Sequence, residues 1–517
     1  MNFDIVFVLL ALIGMIAALV WDKMRPGMVL LTVVVFFLCV GILTPKEMLE
    51  GFSNKGMITV AMLFLVSEGV RQSGALGQLI KKLLPEGKTT VFKAQARMLP
   101  PVAFVSAFLN NTPVVVIFAP IIKRWAEAVK LPATKFLIPL SYVTILGGIC
   151  TLIGTSTNLV VHGMILEAGF EGFSMFELGK VGIFVAIAGI IYIFLFSKRL
   201  LPDARPDTAV PDEEVEEGEK LYRVEAVLGA RFPGINKKLK DFNFQRHYGV
   251  EVKEIKTRNG QRFVTNLDDV VLHEGDTLVV MADDTFIPTW GESSVFVLLT
   301  NGNEPDTSGK KKRWFALLLL VLMIVGATVG ELPVTKEMFP DIKLDMFFFV
   351  SITTIIMAWT NLFPARKYTK YISWDILITI ACAFAISKAM VNSGVADSVA
   401  KFIIGLSDDY GPHVLLAMVF IITNLFTELI TNNAAAALAF PLALSISAQL
   451  GVSPTPFFVV ICMAASASFS TPIGYQTNLI VQGIGNYKFT DFVRIGLPLN
   501  IITFLISITL VPLIWSF

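Results

Sequence analysis

The sequence of 517 residues has little charge, few cysteines and few histidines. Only 16% of its residues are charged and the formal net charge is +1, so it offers no excess of basic residues for binding phosphates, and we expect no nucleic-acid partner. The four cysteines lie far apart in apolar stretches and the four histidines are scattered, which predicts neither disulfides nor a metal cluster. No nucleophile with a nearby base and no nucleotide-binding loop is evident, so we expect neither an enzyme nor an organic cofactor.

Long apolar runs are what the sequence has in abundance. Apolar residues make up 54% of the chain and its mean hydropathy is +0.69, which predicts an integral membrane protein surrounded by lipid. The first run lacks the basic start and the cleavage site of a signal peptide, so we expect it to be retained as a span. Runs long enough to cross about 30 Å of hydrocarbon lie at 3–20, 27–43, 57–72, 134–166 (broken), 179–197, 314–331, 344–362, 374–391, 455–486 (broken) and 493–515.

Two further apolar stretches, 98–125 and 413–448, are each interrupted midway by asparagines. A run that turns back at its middle is typical of a re-entrant hairpin, whose exposed backbone is tolerated only against protein or a cavity. Each half then has five crossings, and because five is an odd number the second half must enter the membrane upside down relative to the first. We therefore predict an all-α polytopic membrane protein with an inverted repeat of five spans plus one re-entrant hairpin in each half.

Polar residues break the apolar sequence at matching places in the two halves. Residues 110–113 (Asn-Asn-Thr-Pro) correspond to residues 431–434 (Thr-Asn-Asn-Ala). Further along, residues 151–158 (Thr-Leu-Ile-Gly-Thr-Ser-Thr-Asn) correspond to residues 471–478 (Thr-Pro-Ile-Gly-Tyr-Gln-Thr-Asn). Hydrocarbon cannot satisfy these amides and hydroxyls, so we expect them to line a cavity that holds water, an ion or a solute. Broken apolar segments at corresponding positions of two halves are typical of a transporter's binding site.

Each motif also has a purely structural interpretation. The asparagine motif could be a kinked buried helix, and the clusters around Gly154 and Gly474 could simply allow close helix packing. However, a helix that begins after a polar triplet presents free backbone N–H groups to an anion, while Asn and Thr oxygens can bind a small cation. The glycines permit turns that free carbonyl oxygens. Because both breaks recur in the second half, we favour a solute site over packing.

Glu428 is an acidic residue inside a predicted membrane segment, close before Asn432. On a helix the two side chains would project from nearly the same face. Glu428 could serve as a proton or cation relay, or it could accept hydrogen bonds that lock the hairpin, and the sequence leaves both open. No arginine or lysine falls at the predicted hairpin tips. An anion would then be held by helix ends, amides, hydroxyls and co-bound cations, which predicts coupling to Na⁺.

The lysines and arginines of the loops predict the orientation of the chain. They cluster on one side of the predicted membrane, which the positive-inside rule makes cytoplasmic. Both termini are then expected outside, in a multi-pass protein of the plasma or bacterial inner membrane. We divide the chain into a first transmembrane repeat (1–202), an inserted cytoplasmic domain (203–309) and a second transmembrane repeat (310–517).

The insert is the only long hydrophilic tract of the sequence. Residues 222–227 and 250–255 largely alternate polar and apolar side chains, as half-buried strands do. Residues 277–281 form another strand candidate after the turn signal Glu274-Gly275-Asp276, and residues 236–242 are a short helix candidate. The insert is therefore predicted to be a small α+β domain.

The paired motifs resemble those of the divalent anion:sodium symporters, the sodium-coupled sulfate and dicarboxylate carriers, over residues 1–200 and 313–517. The family's Ser-Asn-Thr triplet is matched at 110–112 and 431–433, with both central asparagines present. The resemblance implies one Na⁺ site at Ser106, Asn110, Asn111 and the backbone of Gly154, and another at Thr427, Asn432 and the backbone of Ile430 and Gly474. It implies substrate contacts from Asn111, Thr112, Thr155, Asn432, Asn433 and Tyr475.

The sequence departs from the family pattern where relatives contact the anion. Asn110 and Thr431 replace serines, and Asn433 replaces a threonine. Residues 155–157 (Thr-Ser-Thr) and 475–477 (Tyr-Gln-Thr) stand where dicarboxylate carriers tend to have proline-rich turns. A carboxylate specificity therefore cannot be carried over, and this form of the second break, together with an inserted domain, resembles the branch that has sulfate-type members.

The insert resembles a TrkA C-terminal (RCK C-terminal) domain through residues 232–234, 240–242, 248–250 and 274–278. Such domains bind small ligands or dimerise, so the resemblance implies either a regulatory domain with an unknown ligand or a passive oligomerisation module. We expect a homodimer.

Taken together, these features predict a secondary active transporter that imports a small divalent anion, sulfate or a dicarboxylate, with Na⁺ by alternating access. Two alternatives stay open. One is a proton-coupled carrier or exchanger that uses Glu428, and the other is a ligand-gated anion channel controlled by the insert.

Overall fold

The structure is a computed structural model that describes residues 3–517 except 22, 204–221, 230–231, 258–260, 284–285, 287–289, 291–294, 301–309, 340 and 407–410. The helices before the insert are α1 (Phe3–Trp21), α2 (Pro26–Val40), α3 (Pro45–Glu50), α4 (Lys55–Gln72), α5 (Ala75–Leu83), α6 (Val91–Ser106), α7 (Asn111–Ala128), α8 (Leu137–Gly148), α9 (Ser156–Glu167) and α10 (Gly179–Leu200). The insert contains one short α-helix among its described residues, α11 (Phe244–Tyr248).

The helices after the insert follow a similar order, with one additional short helix, α13, after the first. They are α12 (Lys310–Gly330), α13 (Pro333–Met338), α14 (Met346–Trp359), α15 (Tyr368–Tyr371), α16 (Trp374–Asn392), α17 (Val395–Leu406), α18 (Gly411–Leu429), α19 (Asn432–Leu450), α20 (Thr455–Ser466), α21 (Gln476–Gly485) and α22 (Phe489–Ile514). The two spans predicted to be broken are confirmed as helix pairs, because α8 and α9 are separated by residues 149–155 and α20 and α21 by residues 467–475.

Eight helical segments among the described residues are long and apolar enough to cross a membrane. The two arms of the second asparagine motif, α18 and α19, are both among them. Each arm is therefore as long as an ordinary span, so the re-entrant course predicted for residues 413–448 stays a prediction. Helices α8 and α20 are buried over almost their whole surface, as expected for helices that are apolar all round. They form the centre of the membrane part.

Contacts between the two halves are reciprocal. Helix α2 packs on α16, and its counterpart α14 packs on α4. Helix α7 packs on α21, and its counterpart α19 packs on α9. Within each half, α6 packs on α8 and α18 packs on α20. Each of these interfaces between the halves thus has an equivalent in which the two halves exchange roles.

The insert contains an antiparallel five-stranded sheet in the order β3-β2-β4-β1-β5. Its strands are β1 (Tyr222–Leu228), β2 (Glu251–Lys256), β3 (Arg262–Phe263), β4 (Thr277–Ala282) and β5 (Phe296–Thr300). The three predicted strands are confirmed as β1, β2 and β4, and the turn before β4 places Gly275 at φ +85°, a conformation that favours glycine. The sheet and the predominance of helix elsewhere confirm the fold class at this level.

The helix predicted over residues 236–242 is wrong for most of its length. Residues Leu239–Asp241 form a short 3₁₀ helix, and the α-helix lies later, at α11. The backbone of the segment is used instead for pairing with residues 270–272, since Leu272 donates to the Lys237 carbonyl and Asn236 donates to the Leu272 carbonyl. Asn236 adopts a positive φ of 62°, which is incompatible with a right-handed helix.

Candidate substrate and ion site

Four helices begin at the two pairs of polar breaks. Helices α7 and α19 start at the asparagine motifs, and α9 and α21 start just after the Thr-x-Ile-Gly turns. Their N-cap residues are Asn110, Thr431, Thr155 and Tyr475, and none of these four described side chains caps its own helix. The first N–H groups of the four helices are therefore left for other partners, and the positive ends of the helix dipoles point at the breaks.

In the first half, Asn111 is held by Ser106. The Ser106 hydroxyl donates to Asn111 Oδ1 at 2.7 Å, and both side chains are buried. Gly148 lies beside them: a Cβ built there would be 2.8 Å from Asn111 Oδ1 and 3.1 Å from the Gly154 carbonyl oxygen. These two oxygens therefore face the same small space, and glycine at position 148 leaves that space open. Asn110 is partly buried at the start of the same helix.

The second half repeats this arrangement. The Thr427 hydroxyl contacts Asn432 Oδ1 at 3.0 Å and the Ala465 carbonyl at 2.7 Å. A Cβ built on Gly474 would lie 2.6 Å from the Thr427 carbonyl oxygen. The Thr431 hydroxyl is inaccessible to solvent and has no hydrogen-bond partner within the described part of the chain. Because a buried hydroxyl without a partner is costly, this oxygen is available to a ligand. Ile430 lies in the short break between α18 and α19.

Hydrogen bonds cross between the halves at equivalent positions. The Thr112 hydroxyl at the start of α7 donates to Gln476 Oε1 at the start of α21, at 3.1 Å. At the equivalent place, Asn433 at the start of α19 accepts from Ser156 at 3.3 Å and from Thr157 at 3.2 Å, at the start of α9. These bonds join α7 to α21 and α19 to α9, and the contact between Thr155 and Tyr475, 3.1 Å apart, joins the two pairs into one cluster. Asn433 is therefore bonded to the first half, whereas its neighbour Asn432 is bonded to Thr427 of its own half.

Tyr475 lies at the centre of this cluster. Its hydroxyl accepts from Asn111 Nδ2 at 2.7 Å and lies 3.1 Å from Thr155 Oγ1. Asn432 is also close enough to interact with the same hydroxyl. One phenol group of the second half therefore meets side chains of both halves.

The turns before α9 and α21 are pinned in the same way. Asn158 donates to the Thr151 carbonyl at 2.9 Å, and Asn478 donates to the Thr471 carbonyl at 3.1 Å. Thr151 and Thr471 each accept from the backbone N–H of the following glycine, at 3.2 Å. The two similar sequences, 151–158 and 471–478, thus make equivalent hydrogen bonds. Asn158 and Asn478 stabilise the shape of the breaks rather than lining the space between them.

Glu428 is held by neutral donors. Its carboxylate accepts from the Ser470 N–H at 3.0 Å, from Asn500 Nδ2 at 2.7 Å and from the Ser468 hydroxyl at 3.4 Å. These donors link α18 to α22 and to the break after α20. This arrangement corresponds to the interpretation in which Glu428 accepts hydrogen bonds that lock the hairpin. The equivalent position in the first half is Ala107, so the carboxylate has no counterpart there. A relay role stays a prediction.

The structure brings most of the expected site residues together. Ser106, Asn111 and Gly154 lie close together, Thr427, Asn432 and Gly474 form an equivalent group, and the Tyr475 hydroxyl bonds to Asn111. Gln476 and Ser156 were not assigned to the site from the sequence, although both stand inside the quoted motifs. Ser141, which donates to Asn478 Oδ1 at 2.7 Å, was missed because it lies in an uninterrupted apolar helix. Within the described residues, none of the hydrogen bonds of this cluster involves a lysine or an arginine.

Comparisons with known proteins find similarity to transporters. The family model described as citrate transporter, CitMHS, matches residues 16–448 and again residues 343–517. The uncharacterized transporter sll0640 of Synechocystis sp. is 30% identical to this chain, over 94% of the chain and 93% of that protein. The sodium/sulfate cotransporter 2 of Chlamydomonas reinhardtii is 22% identical, over 89% of this chain and 84% of that protein. The solved structure of the YdaH transporter of Alcanivorax borkumensis is 12% identical with a TM-score of 0.49, over 90% of this chain and 86% of that chain.

Proposed function

The chain belongs to the CitMHS citrate transporter family, and on that premise we propose that it is a secondary active carrier that imports a small divalent anion, sulfate or a dicarboxylate, together with Na⁺. The observation that carries the proposal is the meeting of four uncapped helix N-termini at one buried cluster of amides and hydroxyls. Backbone N–H groups and positive dipole ends at helix starts stabilise an anion. The named activity of a sodium/sulfate cotransporter among the relatives supports the same class of substrate.

Sodium ions fit the remaining groups of the site. We propose that one Na⁺ binds at Ser106, Asn110, Asn111 and the Gly154 carbonyl, and a second at Thr427, Asn432 and the carbonyls of Ile430 and Gly474. Neutral hydroxyl, amide and carbonyl oxygens are ligands for hard cations. The oxygens of Asn111 and Gly154 face one space beside Gly148. Helices α6 and α18 end at these sites, and the negative ends of their dipoles favour a cation there.

We propose that the two halves form an inverted repeat around this site. The reciprocal contacts of α2 with α16 and of α14 with α4 support a two-fold relation, and so does the pair of bonds Thr112–Gln476 and Ser156–Asn433. In this arrangement the two asparagine motifs are opposite walls of one site, which rocking of one part against the other would open to each side in turn.

We also propose the orientation of the chain in the membrane and its division into domains. Loop charge supports a cytoplasmic insert over residues 203–309, flanked by transmembrane repeats over 1–202 and 310–517, with both termini outside. The short motifs of the insert support a relation to TrkA C-terminal domains. A homodimer and a small ligand of the insert stay predictions.

Uptake into proteoliposomes tests the proposed function. With purified full-length protein and an inward Na⁺ gradient, we expect labelled sulfate or succinate to accumulate at least about tenfold above the level in choline medium, because the site lacks fixed positive charge and needs co-bound cations. Protein-free liposomes and a protonophore-treated sample serve as controls. Equal uptake with and without Na⁺ would contradict sodium coupling, and uptake driven by a pH gradient alone would favour the proton-coupled alternative.

A further inference from the structure

The two halves differ at the pair Thr155 and Tyr475, which occupy the same position in their two breaks. The two hydroxyls lie 3.1 Å apart, so the pair sits where the halves meet. At this point the first half contributes the small side chain of Thr155, and the second half contributes the phenol ring of Tyr475. The Tyr475 side chain is 8% exposed, so it fills the middle of the cluster rather than lining an open surface.

The Tyr475 hydroxyl also accepts the hydrogen bond that Asn111 Nδ2 would donate to a bound anion. Asn111 Oδ1 already accepts from Ser106, and Asn111 Nδ2 donates to the Tyr475 hydroxyl at 2.7 Å. An anion oxygen can therefore reach Asn111 only beside or in place of the phenol oxygen. The Tyr475 hydroxyl can itself donate to that anion, since a phenol both donates and accepts.

We infer that Tyr475 is the specificity-determining residue of the carrier and that it restricts the substrate to a compact divalent oxyanion of the sulfate type. The ring removes the length that a carbon chain between two carboxylates would need. The absence of lysine and arginine from the hydrogen bonds of the described cluster leaves a third carboxylate without a fixed positive charge. This inference rests on the proposed function, and it separates this chain from a transporter of citrate, the substrate in its family's description.

Competition against labelled sulfate uptake tests the inference, with the wild type, Tyr475→Thr and Tyr475→Phe. In the wild type we expect unlabelled sulfate to compete at least about tenfold better than succinate or citrate. Tyr475→Thr makes the pair symmetric, and we expect it to lower that preference about tenfold, because pocket shape alone discriminates by about 10–200-fold. Tyr475→Phe keeps the ring, so it should keep the preference while raising the sulfate KM, because one hydrogen bond to a charged group is lost.

The outcomes separate the inference from the proposed function. A wild type that takes up succinate and sulfate equally well with Na⁺ would overturn the inference and leave the proposed function standing. An unchanged preference in a well-folded Tyr475→Thr protein would also overturn it. A wild type that transports neither anion would overturn both.

A second and independent observation concerns the insert, whose sheet has two buried faces. Alternate residues of β1, namely Val224, Ala226 and Leu228, lie in the insert's own core. Val227, on the other face, is 1% exposed and belongs to the core of the membrane helices. On the same face of β4, Thr277 and Val279 are also buried. The sheet is therefore docked on the membrane part through this face of β1 and β4.

The docked face contacts α7 and α21. Lys123 near the end of α7 pairs with Glu225 of β1 at 2.9 Å, and Lys256 of β2 lies 3.3 Å from the same carboxylate. At α21, a Cβ built on Gly483 would lie 2.6 Å from Thr277 Oγ1, and one built on Gly275 would lie 2.6 Å from Leu479. The insert thus touches two of the four helices that start at the site, α7 towards its C-terminal end and α21 at Leu479 and Gly483.

The geometry points to the insert as a brace that keeps α7 and α21 together as one body during transport. Removing the Glu225 charge leaves Lys123 and Lys256 facing each other without their shared carboxylate, which should loosen the docked face. Because α7 carries Asn111 and α21 follows Tyr475, a loosened brace should slow uptake while leaving the site's own chemistry intact.

A designed disulfide tests the brace. The built Cβ of Gly483 and the Thr277 Cβ are 3.9 Å apart, within the range for a disulfide. In a Cys39→Ser background, Glu225→Gln should lower the maximal uptake rate about tenfold with little change in the KM for sulfate. Adding Thr277→Cys and Gly483→Cys should restore the rate when oxidised and not when reduced. Asp269→Asn, which removes an exposed ion pair with Lys240 inside the insert, is the matched control and should leave uptake normal.

Two results would overturn the brace. One is normal uptake in a protein that carries Glu225→Gln. The other is reversible loss of uptake when the disulfide forms in a chain with intact Glu225, because that would mean that α21 moves relative to the insert.

Discussion

Replacing Asn111 or Asn432 by alanine is expected to lower Na⁺-driven anion uptake about 100-fold or more. Each asparagine offers Oδ1 to its own half and an amide to the centre of the cluster, and the two are held by Ser106 and Thr427 in equivalent ways. A hydrogen bond to a charged group contributes about 1.5–3 kcal/mol. Losing such a bond from the amide to the anion, together with an Oδ1 ligand of Na⁺, accounts for this effect. Initial uptake rates of purified variants in proteoliposomes measure it.

An asparagine outside the site provides the matched control. Asn392 donates to the Ile42 carbonyl at 3.1 Å and to Glu47 at 3.0 Å, on the exposed side of α16. Asn392→Ala should retain uptake within about twofold, since surface substitutions away from special features have small effects. Near-normal uptake in both Asn111→Ala and Asn432→Ala would contradict the site assignment. If uptake is lost, normal expression and monodisperse purification of the variants would exclude misfolding as the cause.

Glu428→Ala is expected to abolish uptake and to lower the thermal stability of the purified protein. The substitution removes the acceptor of the Ser470 N–H and of the Asn500 amide. A buried donor without a partner costs about 1–3 kcal/mol, and these donors shape the break that presents Gly474 and Tyr475 to the site. Uptake and the Tm of the detergent-purified protein are the two measurements.

Glu428→Gln distinguishes a lock from a proton relay. Glutamine keeps an oxygen that can accept from Ser470 or Asn500 but carries no titratable proton, so a lock predicts that at least about a third of the uptake remains. A relay predicts that Glu428→Gln loses uptake as completely as Glu428→Ala while retaining its Tm. The second result would favour the proton-coupled alternative.

The sequence predicted a large part of the fold because a membrane restricts the backbone to a small set of arrangements. The apolar runs gave the helices, and the two broken spans appear as α8 with α9 and α20 with α21. Strands β1 and β2 followed from alternation and β4 from the turn signal before it, whereas β5 was not recognised and β3 is only two residues long. An α-helix was predicted over residues 236–242 because the pairing partner of this segment, residues 270–272, lies far along the chain and cannot be identified from a local pattern.

The candidate site was predictable to the extent that its residues recur in both halves of the sequence. Asn111 and Asn432, with Gly154 and Gly474, stand out because the same polar residues recur at corresponding places in apolar sequence. Gln476 was overlooked although it neighbours Tyr475, because nothing local shows that it bonds Thr112 across the site. Ser141 gave no signal at all, since a single serine in an apolar helix is ordinary.

The sequence by itself determined that this chain is a membrane protein of two related halves with paired polar breaks, because hydrophobicity and repetition are local properties that need no partner to be recognised. Only the tertiary structure decided which groups meet. The bond from Asn111 to Tyr475 joins residues 364 positions apart, and the pair of Lys123 with Glu225 joins a membrane helix to the insert. Such contacts depend on how helices pack against one another, and a packing arrangement is a property of the whole chain rather than of any segment.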